Sequence, residues 1–344
     1  MKAFAGDSED SVSNLLEVRN LTAGVKRHGI FYKVLDDISF TVNEGEITAL
    51  AGESGCGKSM TALSITGLLP QAVEIQSGEI VYNGRNLTSL GENEMSGIRG
   101  SEISMIFQET RQSLNPLMKV GRQILESLEL TAKRKEKGEK RKEKREKNKE
   151  RVIEMLYTLG FEDAEKIFDA YPHQLSGGMC QKIMTAIAAI TRPRLLLADE
   201  PSSSLDDESQ ERILSLLTDM NRRHNTSVLV ISHNLSIIKK YCSRFLVMYA
   251  GKIVEEGASS LLFSPLHPYT KALIGAIPGK DRRGAPLENI SGKVPSIEDR
   301  FTGCPFAARC TKAQSICREA FPPVKIADNR KVYCYCAETG ISHE

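Results

Sequence analysis

Eight consecutive residues, Gly52-Glu53-Ser54-Gly55-Cys56-Gly57-Lys58-Ser59, fit the spacing G-x-x-x-x-G-K-[ST]. Glycines at those places let the backbone wrap so that successive N–H groups aim at phosphate oxygens. The helix that follows adds its positive N-terminal end. Lys58 can then reach β- and γ-phosphates and Ser59 a Mg²⁺ ion, so the pattern asks for a nucleoside triphosphate. The bland alternative is a glycine turn that holds no ligand. Further along, Leu195-Leu196-Leu197-Ala198 is an apolar strand ending in Asp199-Glu200. That ending puts two carboxylates at the C-terminal edge of a sheet, where a phosphate loop also sits. Asp199 suits Mg²⁺, and Glu200 suits a water in line with the γ-phosphate. Alone it is a weak signal, because surface carboxylates often close strands. A third group, Leu175-Ser176-Gly177-Gly178-Met179-Cys180-Gln181, opens a helix with a hydroxyl and free backbone N–H groups, which makes a second anion cradle. One nucleotide does not need two cradles. The second therefore serves a nucleotide bound to a partner chain.

The chain has eight cysteines, and five of them, Cys304, Cys310, Cys317, Cys334 and Cys336, crowd its end. In a reducing compartment such a cluster suggests a metal more than disulfides. Its spacing is unlike a zinc ribbon, which wants C-x₂₋₄-C. Thiolates from separated loops suit an iron–sulfur cluster equally well on chemical grounds. Metal-free thiols are the remaining reading.

These groups need a scaffold. Ile47–Ala51 reads as a compact apolar strand before the glycine loop, and Ser59–Leu69 has helical periodicity, together one βα unit of a parallel sheet. Leu15–Val18, Ile38–Val42, Ser101–Gln108, Ser227–Ile231 and Arg244–Tyr249 read as further strands. Helices are expected over Val120–Ala132, Arg151–Leu159, Gln181–Ile190 and Glu208–Arg223. The alternation predicts an α/β fold around a parallel sheet. After Phe263 the texture turns Pro- and Gly-rich, which places a domain boundary near 264.

Composition narrows the class. At 344 residues, two or three structural units are expected, and 40% apolar with 26% charged residues is ordinary for a globular chain. A net charge of +2 gives no reason to expect nucleic acid. One asymmetry stands out: residues 131–151 carry 12 basic and 5 acidic side chains, most simply a solvated helix or spacer. No apolar run approaches the ~20 residues that span a bilayer, and the N-terminus lacks the apolar core of a secretory signal. The chain is expected in the cytosol unless a partner carries it to a membrane.

LSGGMCQ, with LLLADEP about twenty residues later, resembles the signature and Walker B segments of the ATP-binding subunits of ABC transporters. Ser203-Ser204-Leu205-Asp206 looks like that family's D-loop, Ile106-Phe107-Gln108 its Q-loop, and Ile231-Ser232-His233-Asn234 its H-loop. The resemblance implies a P-loop NTPase fold with a RecA-like parallel sheet core and a helical subdomain at about 90–175. It divides the chain into a tail, 1–14, an ATPase domain, 15–263, and an extension, 264–344. It implies ATP sandwiched between the Gly52–Ser59 loop of one chain and the Ser176-Gly177-Gly178 turn of another. Ser59, Gln108 and Asp199 would serve Mg²⁺, Glu200 would polarise water, and His233 would contact the γ-phosphate. The usual aromatic residue that stacks on adenine aligns with Val25, and Phe31 or Tyr32 can substitute. Cys180-Gln181-Lys182 replaces the more usual Arg-Gln-Arg.

Ser113–Met118, Tyr171–Gln174, Phe263–Leu273 and the cysteine-bearing tail are similar to the oligopeptide/dipeptide/nickel importer branch. That likeness implies an ATPase that drives peptide uptake, with nickel or metal-chelate import the alternative. An ABC ATPase outside transport is the more distant one, and a simple P-loop kinase is argued against by LSGGMCQ. The implied partners are a second, homologous ATPase subunit, two permease subunits and an extracytoplasmic solute-binding protein, with no nucleic acid. The implied place is the cytoplasmic face of the cell membrane. The branch also implies a 4Fe–4S cluster on Cys304, Cys310, Cys317 and Cys334, with zinc as the alternative.

Overall fold

A computed structural model describes residues 13–131, 139–203, 205–276, 290–299 and 301–337. The first part of the chain gives β1 (Asn14–Arg27), β2 (Ile30–Asn43), β3 (Ile47–Ala51), α1 (Lys58–Thr66), β4 (Val73–Tyr82) and β5 (Arg85–Asn86). A mostly helical stretch follows, with α2 (Glu92–Ile98), β6 (Ile103–Ile106), α3 (Thr110–Ser113), α4 (Val120–Thr131), α5 (Glu139–Thr158), α6 (Ala164–Phe168) and α7 (Gly177–Ala189). Alternation then resumes through β7 (Leu195–Asp199), α8 (Asp207–His224), β8 (Ser227–Ile231), α9 (Leu235–Tyr241), β9 (Arg244–Tyr249) and β10 (Lys252–Ala258). The end of the chain adds α10 (Pro268–Gly275), α11 (Ile316–Glu319), β11 (Lys325–Ala327) and β12 (Arg330–Val332). Most of the tail 1–14, part of the charged segment 131–151, and Ser204 lie outside the described residues.

Two sheets carry the structure. The larger runs β11-β12-β10-β9-β3-β8-β7-β6, and its β6, β7, β8, β3 and β9 are parallel. Every residue of β3, β7 and β8 is buried, as a parallel sheet covered on both faces requires. The smaller sheet, β2-β1-β4-β5, is antiparallel. Its core face, with Leu16, Val18, Leu21, Ile38, Phe40 and Ile80, packs into one cluster with Leu50 and Leu197 of the large sheet.

On the other face, helices close the core. In α8 the residues Ile213, Leu214, Leu217 and Met220 fall at helical spacing and are buried. Its start is fixed by Asp206, whose side chain accepts from Ser209 N at 2.9 Å, and its end by Asn225 in the left-handed conformation. The N–H of Ser209 holds the Asp206 carboxyl below its usual range. The helical stretch joins the same core through Ile124, Leu125, Val152, Leu156 and Ile183. The segment after 264 does not stand apart, because β12 pairs with β10 at Val332↔Glu255 and so extends the large sheet.

Candidate active site

The parallel register brings the chemistry to one edge. Ile106 pairs with Ala198, and Asp199 with Ile231, so the chain leaves β6, β7 and β8 at the same end. Gln108, Glu200 and His233 follow those three strand ends directly. From β3 the chain turns through Gly52, whose φ is +153°. A Cβ there would lie 2.3 Å from Met248 O, so no other residue fits. Gly57, at φ +111°, then starts α1.

Lys58 is buried, and its ammonium donates to the carbonyls of Gly52 and Glu53, at 2.9 Å each. Those are the bonds a polyphosphate would have to replace. The Asp199 carboxyl is nearly inaccessible, and its Oδ1 has no partner. Burial raises its pKa; the neighbouring Ser59 hydroxyl and Lys58 pull the other way, while Glu200 adds repulsion. An orphaned buried carboxylate oxygen beside a serine hydroxyl is a donor set that fits Mg²⁺. Gln108 is exposed beyond β6 and open to the same edge.

Glu200 holds φ at +48°, a left-handed conformation that costs a non-glycine residue energy and is typical of active sites. Several bonds over-determine it: Glu200 N donates to Ile231 O at 3.0 Å, and Gln181 Nε2 to Glu200 O at 3.4 Å. Its carboxylate accepts from His233 N at 3.2 Å and lies 2.7 Å from His233 Nδ1. With Nδ1 so engaged, Nε2 is the ring's open nitrogen, and the His233 side chain is 64% exposed. Glu200 and His233 are therefore one unit, a pairing that spacing could not have revealed.

Ser176 caps α7, its hydroxyl accepting from Met179 N at 3.2 Å, and Gly177 and Gly178 form the first turn. Ser176 and Gly177 are exposed. Among the described residues no hydrogen bond joins this turn to Gly52–Ser59. The sequence groups thus fall into two sets, one assembled at the sheet edge and one facing outward on α7.

Sequence reasoning missed the neighbours of Glu53. Tyr269 of α10 accepts from Glu53 N at 2.8 Å through its hydroxyl. Arg309 grips the Glu53 carboxylate with two nitrogens, at 2.8 and 3.2 Å. Tyr249, Tyr269 and Phe306 pack together beside them, Tyr249 edge-on to Phe306 and the other pairs tilted, with ring centroids 4.5 to 5.3 Å apart. A cavity of about 440 Å³ opens beside Gly55, walled by Phe31, Tyr32, Gly251, Ile297 and Phe301. Val25 pairs across β1 and β2 with Tyr32 and does not line it.

The five C-terminal cysteines are free thiols that line one cavity of about 20 Å³, together with His267. Burial pushes Cys304 up to about 11. His267 is buried and its Nε2 has no partner. Among the described residues, however, no group of three or more His, Cys, Asp or Glu side chains is arranged to hold a metal ion. The donors fit a thiophilic metal, whereas a space of that size holds about one water, so the loops would have to part for a 4Fe–4S cube. Nor are four thiols set apart from a fifth, because Cys336 lines the same cavity as the other four.

A family model described as "ABC transporter" matches residues 35–203, and one described as "Oligopeptide/dipeptide transporter, C-terminal region" matches residues 254–317. The chain is 42% identical to the oligopeptide transport ATP-binding protein AppD of Bacillus subtilis, covering 95% of this chain and 98% of that one. It is also 42% identical to a probable peptide ABC transporter ATP-binding protein, y4tR, of Sinorhizobium fredii, over 90% of each. Among solved structures it is similar to the ATP-binding cassette MJ0796, determined as a dimer in a post-hydrolysis state with ADP and Pi. That likeness has a TM-score of 0.63 and 25% identity, over 71% of this chain and 98% of the other.

Proposed function

The chain belongs to the ABC transporter ATP-binding family and is an ATPase, and on that premise we propose that it powers a peptide importer. The observation that carries this reading is a pairing. A sheet edge that gathers Lys58, Asp199, Glu200 and His233 is followed by a C-terminal region of the oligopeptide/dipeptide type. No helix among the described residues is long and apolar enough to cross a membrane, so transport would fall to separate permease subunits. Those permeases, a second homologous ATPase and an extracytoplasmic solute-binding protein are the partners we assign. The site of action we assign is the cytoplasmic face of the membrane.

The proposed chemistry uses this chain's residues as follows. Gly52–Ser59 wraps the β- and γ-phosphates, and Lys58 leaves the Gly52 and Glu53 carbonyls to reach them. Ser59, Asp199 and Gln108 would hold Mg²⁺, which when bound neutralises charge developing on the phosphates. Glu200 takes up the proton of a water poised in line with the γ-phosphate. His233, anchored through Nδ1, turns Nε2 toward the γ-phosphate. The base lies in the cavity beside Tyr32 and Phe31. Ser176, Gly177 and Gly178 complete the site of the partner subunit. The division into a cassette to 263 and an extension from 264 belongs to the same proposal.

For the tail we propose a metal at Cys304, Cys310, Cys317 and Cys334, a 4Fe–4S cluster or alternatively zinc. The convergence of the thiols and the orphaned His267 Nε2 support it. Protein purified without oxygen should contain stoichiometric iron, and Cys310→Ser should lose it. Stoichiometric zinc would replace the cluster, and neither metal would end the proposal.

The functional test is reconstitution with permeases and binding protein in vesicles. Added peptide should stimulate ATP hydrolysis several-fold. Robust hydrolysis that no peptide stimulates would contradict the peptide reading.

A further inference from the structure

The phosphate loop carries a liability. Glu53 is its second residue, and its carboxylate puts a negative charge on the loop assigned to the phosphates. With Lys58 as the loop's cation, the two formal charges cancel. Arg309, from the cysteine-bearing extension 256 residues away, reverses that balance. Its guanidinium meets Glu53 as a fork, at 2.8 and 3.2 Å, the geometry that makes arginine–carboxylate pairs strong.

Its remaining donors hold the fork in place. Arg309 Nε donates to Ser291 O at 3.0 Å, a second terminal nitrogen to Ile290 O at 3.1 Å, and the first also to Tyr249 Oη at 3.2 Å. The side chain is 5% exposed, so screening by water and salt is weak. Tyr269, also from beyond residue 264, fixes the backbone N–H of the same Glu53. The extension thus holds both the main chain and the side chain of one phosphate-loop residue.

We propose that Arg309 is a positioning residue of the nucleotide site, neutralising Glu53 so that the phosphate loop presents net positive charge to a nucleoside polyphosphate. The extension is thereby an electrostatic part of the ATP site. This rests on the assignment of the phosphates to Gly52–Ser59.

A double-mutant cycle on the full-length chain tests it, with affinities for ATP, ADP and adenosine measured by calorimetry. Arg309→Met should weaken ATP binding about tenfold, ADP less, and adenosine least, in the order of ligand charge. When Glu53→Gln is also present, the same Arg309→Met change should cost less than about twofold. Arg309→Gln runs the identical cycle if Arg309→Met is insoluble. Equal losses for all three ligands, or a loss undiminished alongside Glu53→Gln, would show that Arg309 acts only by folding the tail and would overturn the proposal. Lys58→Ala separates the two readings. If it leaves ATP affinity intact, the phosphates are not on this loop. If it abolishes affinity while the cycle shows no coupling, Arg309 alone is misassigned.

Discussion

At the scale of single residues, the site separates into what composition can announce and what only geometry can. Lys58 and Asp199 announce themselves, because a glycine loop and an apolar strand ending in carboxylates are chemically specific in combination. The contact of His233 with Glu200, 2.7 Å across 33 residues, is invisible until β7 and β8 are laid side by side. The same holds for Arg309 and Glu53, where sequence distance hides a bidentate pair. That contact at Glu200 has a consequence. His233→Ala removes the ring that holds the Glu200 carboxylate, though the backbone N–H remains. Hydrolysis should fall by about a hundredfold, with ATP binding reduced far less. Steady-state kinetics on the assembled transporter would show it, and unchanged turnover would remove His233 from the site.

Elements were legible in proportion to how local their signals are. The strands β8 and β9 have the expected bounds and β7 adds only Asp199 to its expected run, since buried parallel strands have no alternation to blur. The helix α8 was expected at Glu208–Arg223 and spans Asp207–His224. By contrast, Leu15–Val18 is a fragment of the fourteen-residue β1. Register shifts between Val18 and Leu21, and Asn20 at positive φ, break the two-residue period that would have extended it. The helix α10 was lost in a Pro-rich texture, though Pro268 stands at its first turn and His267 caps it. The strand β12 was missed because three residues, Arg330–Val332, carry no periodicity. It brings in Arg330, 3% exposed, beside the fully buried Glu255, which also accepts from Leu266 N and His267 N. Arg330 also donates to Ser264 O. Removing one partner of a buried pair strands the other, so Arg330→Ala should destabilise the chain by about 3–5 kcal/mol. Urea unfolding measures this, and a loss below about 1 kcal/mol would mean that Glu255 finds other solvation.

For the whole molecule, two facts set the logic. The proposed nucleotide groups gather at one sheet edge, and among the described residues no hydrogen bond joins the exposed turn at Ser176 to the phosphate loop. On the proposed reading, that turn serves a second chain. Ser176→Arg should leave ATP affinity of the isolated chain near that of the parent while hydrolysis by the assembled transporter collapses. An isolated chain weakened as much as by Lys58→Ala would contradict a shared site. The extension is the other whole-molecule feature: it continues the large sheet through β12 and grips Glu53 of the phosphate loop.

The role proposed for Glu200 is to act on water as this chain hydrolyses ATP. Its most direct test is Glu200→Gln in the assembled transporter, with bound ATP and released phosphate measured in the same sample. ATP should stay bound at parental occupancy while phosphate release falls at least about a hundredfold. Release at the parental rate would contradict it.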